Sequence, residues 1–201
     1  DGGPGPTDIV ALLRRVMPPD VAAAGVATFL DALALSWVLG ATDAHAKNYS
    51  LLLSGADVRL APLYDINTVL PYLSGDRRDV GPGRVSTHTA RLAMSIGGKA
   101  RLAEVDGLAW TELADAIRVD HKQRLDRIGH LVDATIDATE AVVETECAND
   151  NLHNDQQQFA ERLAHDVARR GQLCRNALVG RGPAATGPRH RRPVSPRAPR
   201  S

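Results

Sequence analysis

The amino-acid sequence predicts a mainly α-helical domain with one short β-hairpin set into it. Three features point there: a long apolar run at Val21–Ala41, two extended helical patterns at about Lys122–Glu146 and Asn151–Leu178, and two short apolar runs, Tyr49–Leu53 and Val58–Leu60, separated by the turn sequence SGAD. At 201 residues and 43% hydrophobic, the chain is long enough for one sizeable core. A single domain over residues 1–180 is expected, with residues 181–201 as a tail.

Each element has a local reason. In TDIVALLRRV, Thr7 or Asp8 suits an N-cap, Ile9, Leu12, Leu13 and Val16 share a face, and Pro18 and Pro19 stop the helix. The run from Val21 to Ala41 could cross a bilayer by length, but Asp31 near its middle costs about 2.5–3.5 kcal/mol on insertion scales. Alanine supplies much of the rest, so a buried core helix ending near Gly40 is the better reading. Val26, Phe29 or Leu30, Leu33 and Trp37 follow the helical repeat, and Leu35 and Val38 make the last turns apolar nearly all round. RLAMSIGG, Arg91–Gly98, reads as a strand and Trp110–Ile117 as a helix. At ~1.5 Å per residue, either long C-terminal helix spans the domain. From Arg181 onward the chain is rich in Pro, Gly and Arg without apolar period, so disorder is expected.

Formal charge is zero, so no overall basic field argues for direct, specific nucleic-acid binding or for an anionic membrane. The charge is uneven: six arginines and no acid lie beyond residue 180, leaving 18 bases against 24 acids before it. Cys147 and Cys174 stand far apart in helical patterns, which suits a reducing compartment better than a disulfide framework. No basic segment followed by an apolar stretch opens the chain, and a cytoplasmic location is expected. The first residue is Asp1 and not Met, which suggests a piece of a longer protein.

Chemistry is concentrated in GATDAHAKNYSLLL, Gly40–Leu53. Here the chain leaves the apolar helix, places Asp43, His45, Lys47 and Asn48 within six residues, and returns to an apolar run. Polar loops on a rigid apolar scaffold are where chemistry is usually found. Downstream, LAPLYDINTVL presents Asp65 after a similar apolar approach. A hairpin brings its two ends together, so Asn48 just before it and Asp65 just after it are expected to be neighbours, and with Asp43 on the same loop as Asn48 three oxygen-bearing side chains are expected to converge. Carboxylate and amide oxygens suit Mg²⁺, which keeps waters and takes one or two protein carboxylates together with substrate phosphates; neither cysteine is near enough to suggest zinc. Protein kinases present a proton-accepting Asp, an Asn five residues later that holds a metal, and a further metal-binding Asp. Asp43, Asn48 and Asp65 reproduce that order.

The Asp–Asn pair alone is commonplace; the helix before it, the hairpin after it and the second Asp make the combination informative. Each residue also has a plainer reading: Asp43 and Asp65 as turn starters, Asn48 as a turn cap, His45 as a structural hydrogen-bonding group, and Lys47 as a solvated side chain instead of one that neutralises phosphoryl charge. DGGPGP lacks the Lys and Ser/Thr of a P-loop and follows no strand, so it reads as a connecting turn. His88 and Cys174 have no partners at ligand spacing and receive no role.

Through DGGPG, LGATDAHAKNYSLLL, LAPLYDI and RLAMSIGGK, the sequence resembles the C-terminal part of HipA-type serine/threonine kinases, the toxin kinases of bacterial toxin–antitoxin pairs, over roughly Asp1–Leu178. The resemblance implies the helical C-terminal lobe of a protein-kinase-like fold, with Asp43 as catalytic aspartate and Asn48 and Asp65 as Mg²⁺ ligands. It implies ATP as phosphoryl donor, a protein substrate, and an antitoxin-like DNA-binding partner. His45 and Lys47 join Asp43 as catalytic candidates. Nothing matches the nucleotide-binding loop, phosphate-binding lysine or adenine pocket that the family carries N-terminally, so the chain reads as the helical lobe without its nucleotide lobe.

In the implied reaction Asp43 accepts the proton of a Ser or Thr hydroxyl, and Mg²⁺ neutralises the nucleotide phosphates. The segment NTVLPYLSGDRRDVGPGRVSTHTA stands where an activation or substrate loop would be, and its Gly and Pro suggest mobility. Two other functions fit the same residues. Aminoglycoside- and choline-type phosphotransferases share the D-x-H-x-x-N pattern of Asp43, His45 and Asn48, and a non-catalytic module could bind a partner through its long helices.

Overall fold

The structure, a computed structural model, describes residues 3–74, 83–149 and 152–180. Helix α1, Pro6–Val16, starts before the expected cap. Pro6 takes the first helical position, where its missing N–H costs nothing, and the N-cap is Gly5. Asp8 serves from inside the first turn instead, accepting the Gly5 N–H at 2.9 Å. Helix α2, Pro19–Leu39, is the core helix that the apolar run predicts: Phe29, Leu33, Trp37 and Val38 are at most 2% exposed. It is long and apolar enough to cross a membrane by composition alone. Here its single mid-helix charge is answered within the protein. Asp31 bonds to both Arg124 and Arg127 of α4, His121–Ala148, the latter at 2.8 and 3.1 Å.

Strands β1, Leu51–Ser54, and β2, Asp57–Leu60, form the expected antiparallel hairpin, with Leu51 opposite Leu60 and Ser54 opposite Asp57. Gly55 opens its two-residue turn at φ 60°, a backbone region that glycine reaches without strain. The hairpin tip is exposed. A short parallel bridge joins β3, Leu73–Ser74, to β4, Val85–Ser86. Strand β5, Arg91–Ile96, buries every second residue, Leu92, Met94 and Ile96, and turns through Gly97 and Gly98 into β6, Lys99–Arg101. A Cβ at Gly97 would lie 2.1 Å from the Ala109 carbonyl oxygen, so only glycine fits that turn.

Helix α3, Gly107–Ala116, begins three residues before the apolar pattern because Asp106 caps it, accepting the Ala109 N–H at 2.9 Å. Trp110 then stacks edge-on against Trp37 of α2, with ring centroids 5.9 Å apart. Helix α5, Asn154–Leu178, packs on α4 at Gly171, where a Cβ would come within 2.6 Å of Ile136. Arg175 and Asp133 add an ion pair between the same helices. The fold is thus mainly helical around α2, with the hairpin beside it. The tail at 181–201, and residues 75–82 in the middle of the proposed activation or substrate segment, lie outside the described residues.

Candidate functional site

The site begins where α2 stops. Gly40 closes the helix in the left-handed conformation at φ 62°, and the Ala41 N–H reaches back to the Ser36 carbonyl at 2.8 Å. Two side chains occupy further carbonyls of the last turn. Thr68 donates to Leu39 O at 2.6 Å, and Arg170 of α5 donates to Trp37 O at 3.2 Å and Leu102 O at 3.3 Å. The chain therefore leaves a fixed point. Burial pushes the Arg170 guanidinium below its ordinary range, and the last turn of α2 offers it the negative end of a helix dipole.

Beyond that point Asp43 turns outward, its side chain 74% exposed, with His45 Nε2 at 3.8 Å. One 3-10 turn, Ala46–Asn48, then brings Asn48 inward, to 6% exposure. Lys47 on the same turn is exposed. Tyr49 anchors the turn by packing edge-on against Phe29 of α2, 4.9 Å between centroids. Burial raises the Tyr49 phenol above its usual range, partly offset by a hydrogen bond with Ser36.

Across the hairpin, Asn48 Nδ2 donates to Asp65 Oδ2 at 2.7 Å. The two residues stand seventeen positions apart, and the β1–β2 register brings them together, as the sequence spacing predicts. Asp65 itself sits at φ 56°, an uncommon conformation for a residue with a Cβ, though one that aspartate tolerates. The Asn67 side chain lies 3.5 Å from the Asp65 carbonyl oxygen. The neighbouring Tyr64 hydroxyl donates to Lys47 O at 2.7 Å and lies 2.7 Å from Ser50 Oγ. Asp65 and the Asp43–Asn48 loop are thus tied at two points.

The hydrogen bond spends the Asn48 amide nitrogen and one Asp65 oxygen. Asn48 Oδ1 and Asp65 Oδ1 remain as hard oxygen donors. Among the described residues no group of three His, Cys, Asp or Glu side chains could hold a metal. One amide and one carboxylate do not make a complete protein cage, which fits Mg²⁺ completed by waters and phosphates better than a structural Ca²⁺ or Zn²⁺ site.

The sequence reading missed three positioning residues. Tyr64 was within reach, since it directly precedes Asp65 in the motif LYDI. Thr68 and Arg170 had no local signal, because the carbonyls they meet belong to a helix 29 and 133 residues away.

Residues 3–143 match the HipA-like C-terminal domain. The chain belongs to that family. This HipA-like domain is 34% identical over 178 residues to "Putative kinase Y4mE" of Sinorhizobium fredii, a match covering 89% of the chain and 38% of the relative. It is 30% identical over 110 residues to "Putative kinase Y4dM" of the same organism, covering 54% of the chain and 25% of that protein. The chain thus corresponds to well under half the length of both relatives. Its fold matches HipA in the Shewanella oneidensis MR-1 complex of HipA, HipB and operator DNA, with TM-score 0.69 and 16% identity over 89% of this chain and 37% of the other.

Proposed function

We propose that this HipA-like domain is the catalytic-loop lobe of a serine/threonine protein kinase that uses ATP and Mg²⁺. The observation that carries the reading is the 2.7 Å contact between Asn48 and Asp65, which joins the two metal-ligand candidates with Asp43 on the same loop. Mg²⁺, when bound by these two side chains, neutralises charge on the nucleotide phosphates. Asp43, held outward by the loop, accepts the proton of the substrate hydroxyl and orients its oxygen in line. His45 stands beside the Asp43 carboxylate at 3.8 Å, within reach of the transferring group, and the exposed Lys47 adds positive charge where negative charge develops on that group. Tyr64 and Thr68 keep the two halves of the site in register.

The HipA neighbour is assembled with HipB and operator DNA. By that likeness we assign this protein to the toxin side of a toxin–antitoxin pair, acting in the cytoplasm on a protein substrate, with an antitoxin-like DNA-binding partner.

The test is transfer of label from γ-labelled ATP by the natural protein expressed from its own start codon. Label appears on a serine or threonine of a protein, and Asp43→Ala lowers the rate by a factor on the order of 10² to 10⁴. Undiminished transfer by a folded Asp43→Ala variant overturns the assignment, and label found only on a small alcohol replaces it with a small-molecule phosphotransferase.

A further inference from the structure

A sizeable cavity lies away from this site. Helices α2 and α4 leave between them about 780 Å³, within the size range of small-molecule sites. Its floor is Ala22, Ala23, Val26, Ala27 and Leu30 of α2, a face kept low by small side chains. None of Asp43, His45, Lys47, Asn48 or Asp65 lines it.

The polar groups around that floor are unbalanced in one direction. Both Asp31 oxygens are held by Arg124 and Arg127, and one Asp120 oxygen accepts the Gln123 N–H at 2.7 Å as the cap of α4. Donors remain in surplus. Arg14 contributes one nitrogen to the Ile117 carbonyl, and Arg127 uses two on Asp31; each guanidinium carries further N–H groups. The Gln123 amide and His130 ring share the same lining. Three arginines face two aspartates, so the wall carries net positive charge.

An apolar floor beneath spare cationic donors selects an apolar body with one anionic head. We propose that this cavity binds a small organic carboxylate, its hydrocarbon part on the alanine face of α2 and its carboxylate on the spare N–H groups of Arg127, beside His130 three residues along α4. Guanidinium groups suit a carboxylate because their paired N–H bonds match its two oxygens.

Calorimetric titration of the full chain with octanoate and with 1-octanol tests this. Octanoate binds one to one, and octanol binds at least about tenfold more weakly. Ala27 is exposed, so Ala27→Leu raises the cavity floor without entering the core; it weakens octanoate binding and leaves the melting temperature in place. Arg127→Gln brings octanoate down to the affinity of octanol. Equal affinities for the two probes in the unaltered protein, no measurable octanoate binding, or unchanged binding by Ala27→Leu each overturn the proposal. None of these results bears on the phosphoryl-transfer reading, whose residues lie elsewhere.

Discussion

Asp31 and Asp43 stand twelve residues apart, one within α2 and the other just past its end, yet their surroundings are opposite. Asp31 is enclosed by two arginines from α4, and its side chain is 24% exposed. Asp43 is 74% exposed, with the His45 ring at 3.8 Å. A carboxylate closed in by guanidinium groups has its charge and its lone pairs committed, so it ties helices together and can do little else. One left open at the end of a rigid helix adds little to stability and is free to meet a proton or a substrate. Residue type is the same in both places; what differs is whether the fold has already spent the oxygens.

Exchanging the two roles is the strongest way to break this contrast. Asp43→Asn is expected to cut phosphoryl transfer by the same order of 10² to 10⁴ as the alanine variant, while unfolding free energy stays within about 0.5 kcal/mol of the parent, as for surface substitutions. Arg124→Ala is expected to do the reverse. Arg124 is 8% exposed, but the Asp31 it leaves behind is 24% exposed and still held by Arg127, so the loss is that of a charge-assisted hydrogen bond, about 1.5–3 kcal/mol. For a chain of this size that lowers the melting midpoint by roughly 3–12 °C. Thermal denaturation of both variants checks the pair, and a large loss of stability in Asp43→Asn would show that the loop carboxylate is structural after all.

Tyr64→Phe is expected to act between these extremes. It removes two hydrogen bonds at an exposed position, worth about 0.5–1.5 kcal/mol each at most, yet it unties Asp65 from the backbone of Lys47. Transfer should fall more than stability does. Equal falls in rate and in melting midpoint would assign Tyr64 to the scaffold alone.

Much of this contrast was legible in the sequence, and the remainder was not for a physical reason. Helical periodicity marked α2, and turn residues between short apolar runs marked the hairpin, because both signals are local. The closeness of Asn48 and Asp65 followed from the hairpin itself, since its two ends must meet. Asp31 could be recognised as a charge in an apolar helix, but its answer lay 93 and 96 residues away in Arg124 and Arg127, where nothing local announces it. The start of α1 was misplaced because Thr7 and Asp8 are good caps in isolation, while Pro6 and Gly5 settle the matter two or three residues earlier. Helix α5 starts at Asn154, with its N-cap at His153, three residues later than the expected Asn151.

Acid sharpens the Asp31 half of the contrast with a smaller effect. Burial tends to raise the Asp31 carboxyl, but the hydrogen bonds and charges of Arg127 and Arg124 outweigh it and hold the group below its ordinary range. A depressed carboxylate contributes stability that is fully present above its unfolded value, near 3.8, and is lost as the pH falls through the lower folded value. The parent should lose stability on acidification below about pH 4 more steeply than Asp31→Asn does, in parallel urea titrations. Identical slopes would mean that the arginines do not favour the charged form.

The smallest effect concerns the cysteines, which repeat the open and closed comparison with thiols. Cys174 on α5 is fully buried, and burial pushes its thiol up to about 11, against a weaker downward pull from the Arg170 charge. Cys147 near the end of α4 is partly exposed. The thiolate is the reactive form, so at pH 8 an aromatic disulfide reagent should label Cys147 promptly and Cys174 only as fast as the domain opens. At neutral pH the raised value has no consequence for stability, because the thiol is protonated in both states. Between pH 9 and about 11 the sign is fixed: the unfolded thiol releases its proton first, so stability falls as pH rises. Cys174→Ala should flatten that alkaline decline while leaving phosphoryl transfer unchanged apart from any packing loss. Prompt labelling of Cys174 in the folded protein would show that the α4–α5 contact opens more readily than the packing at Gly171 implies.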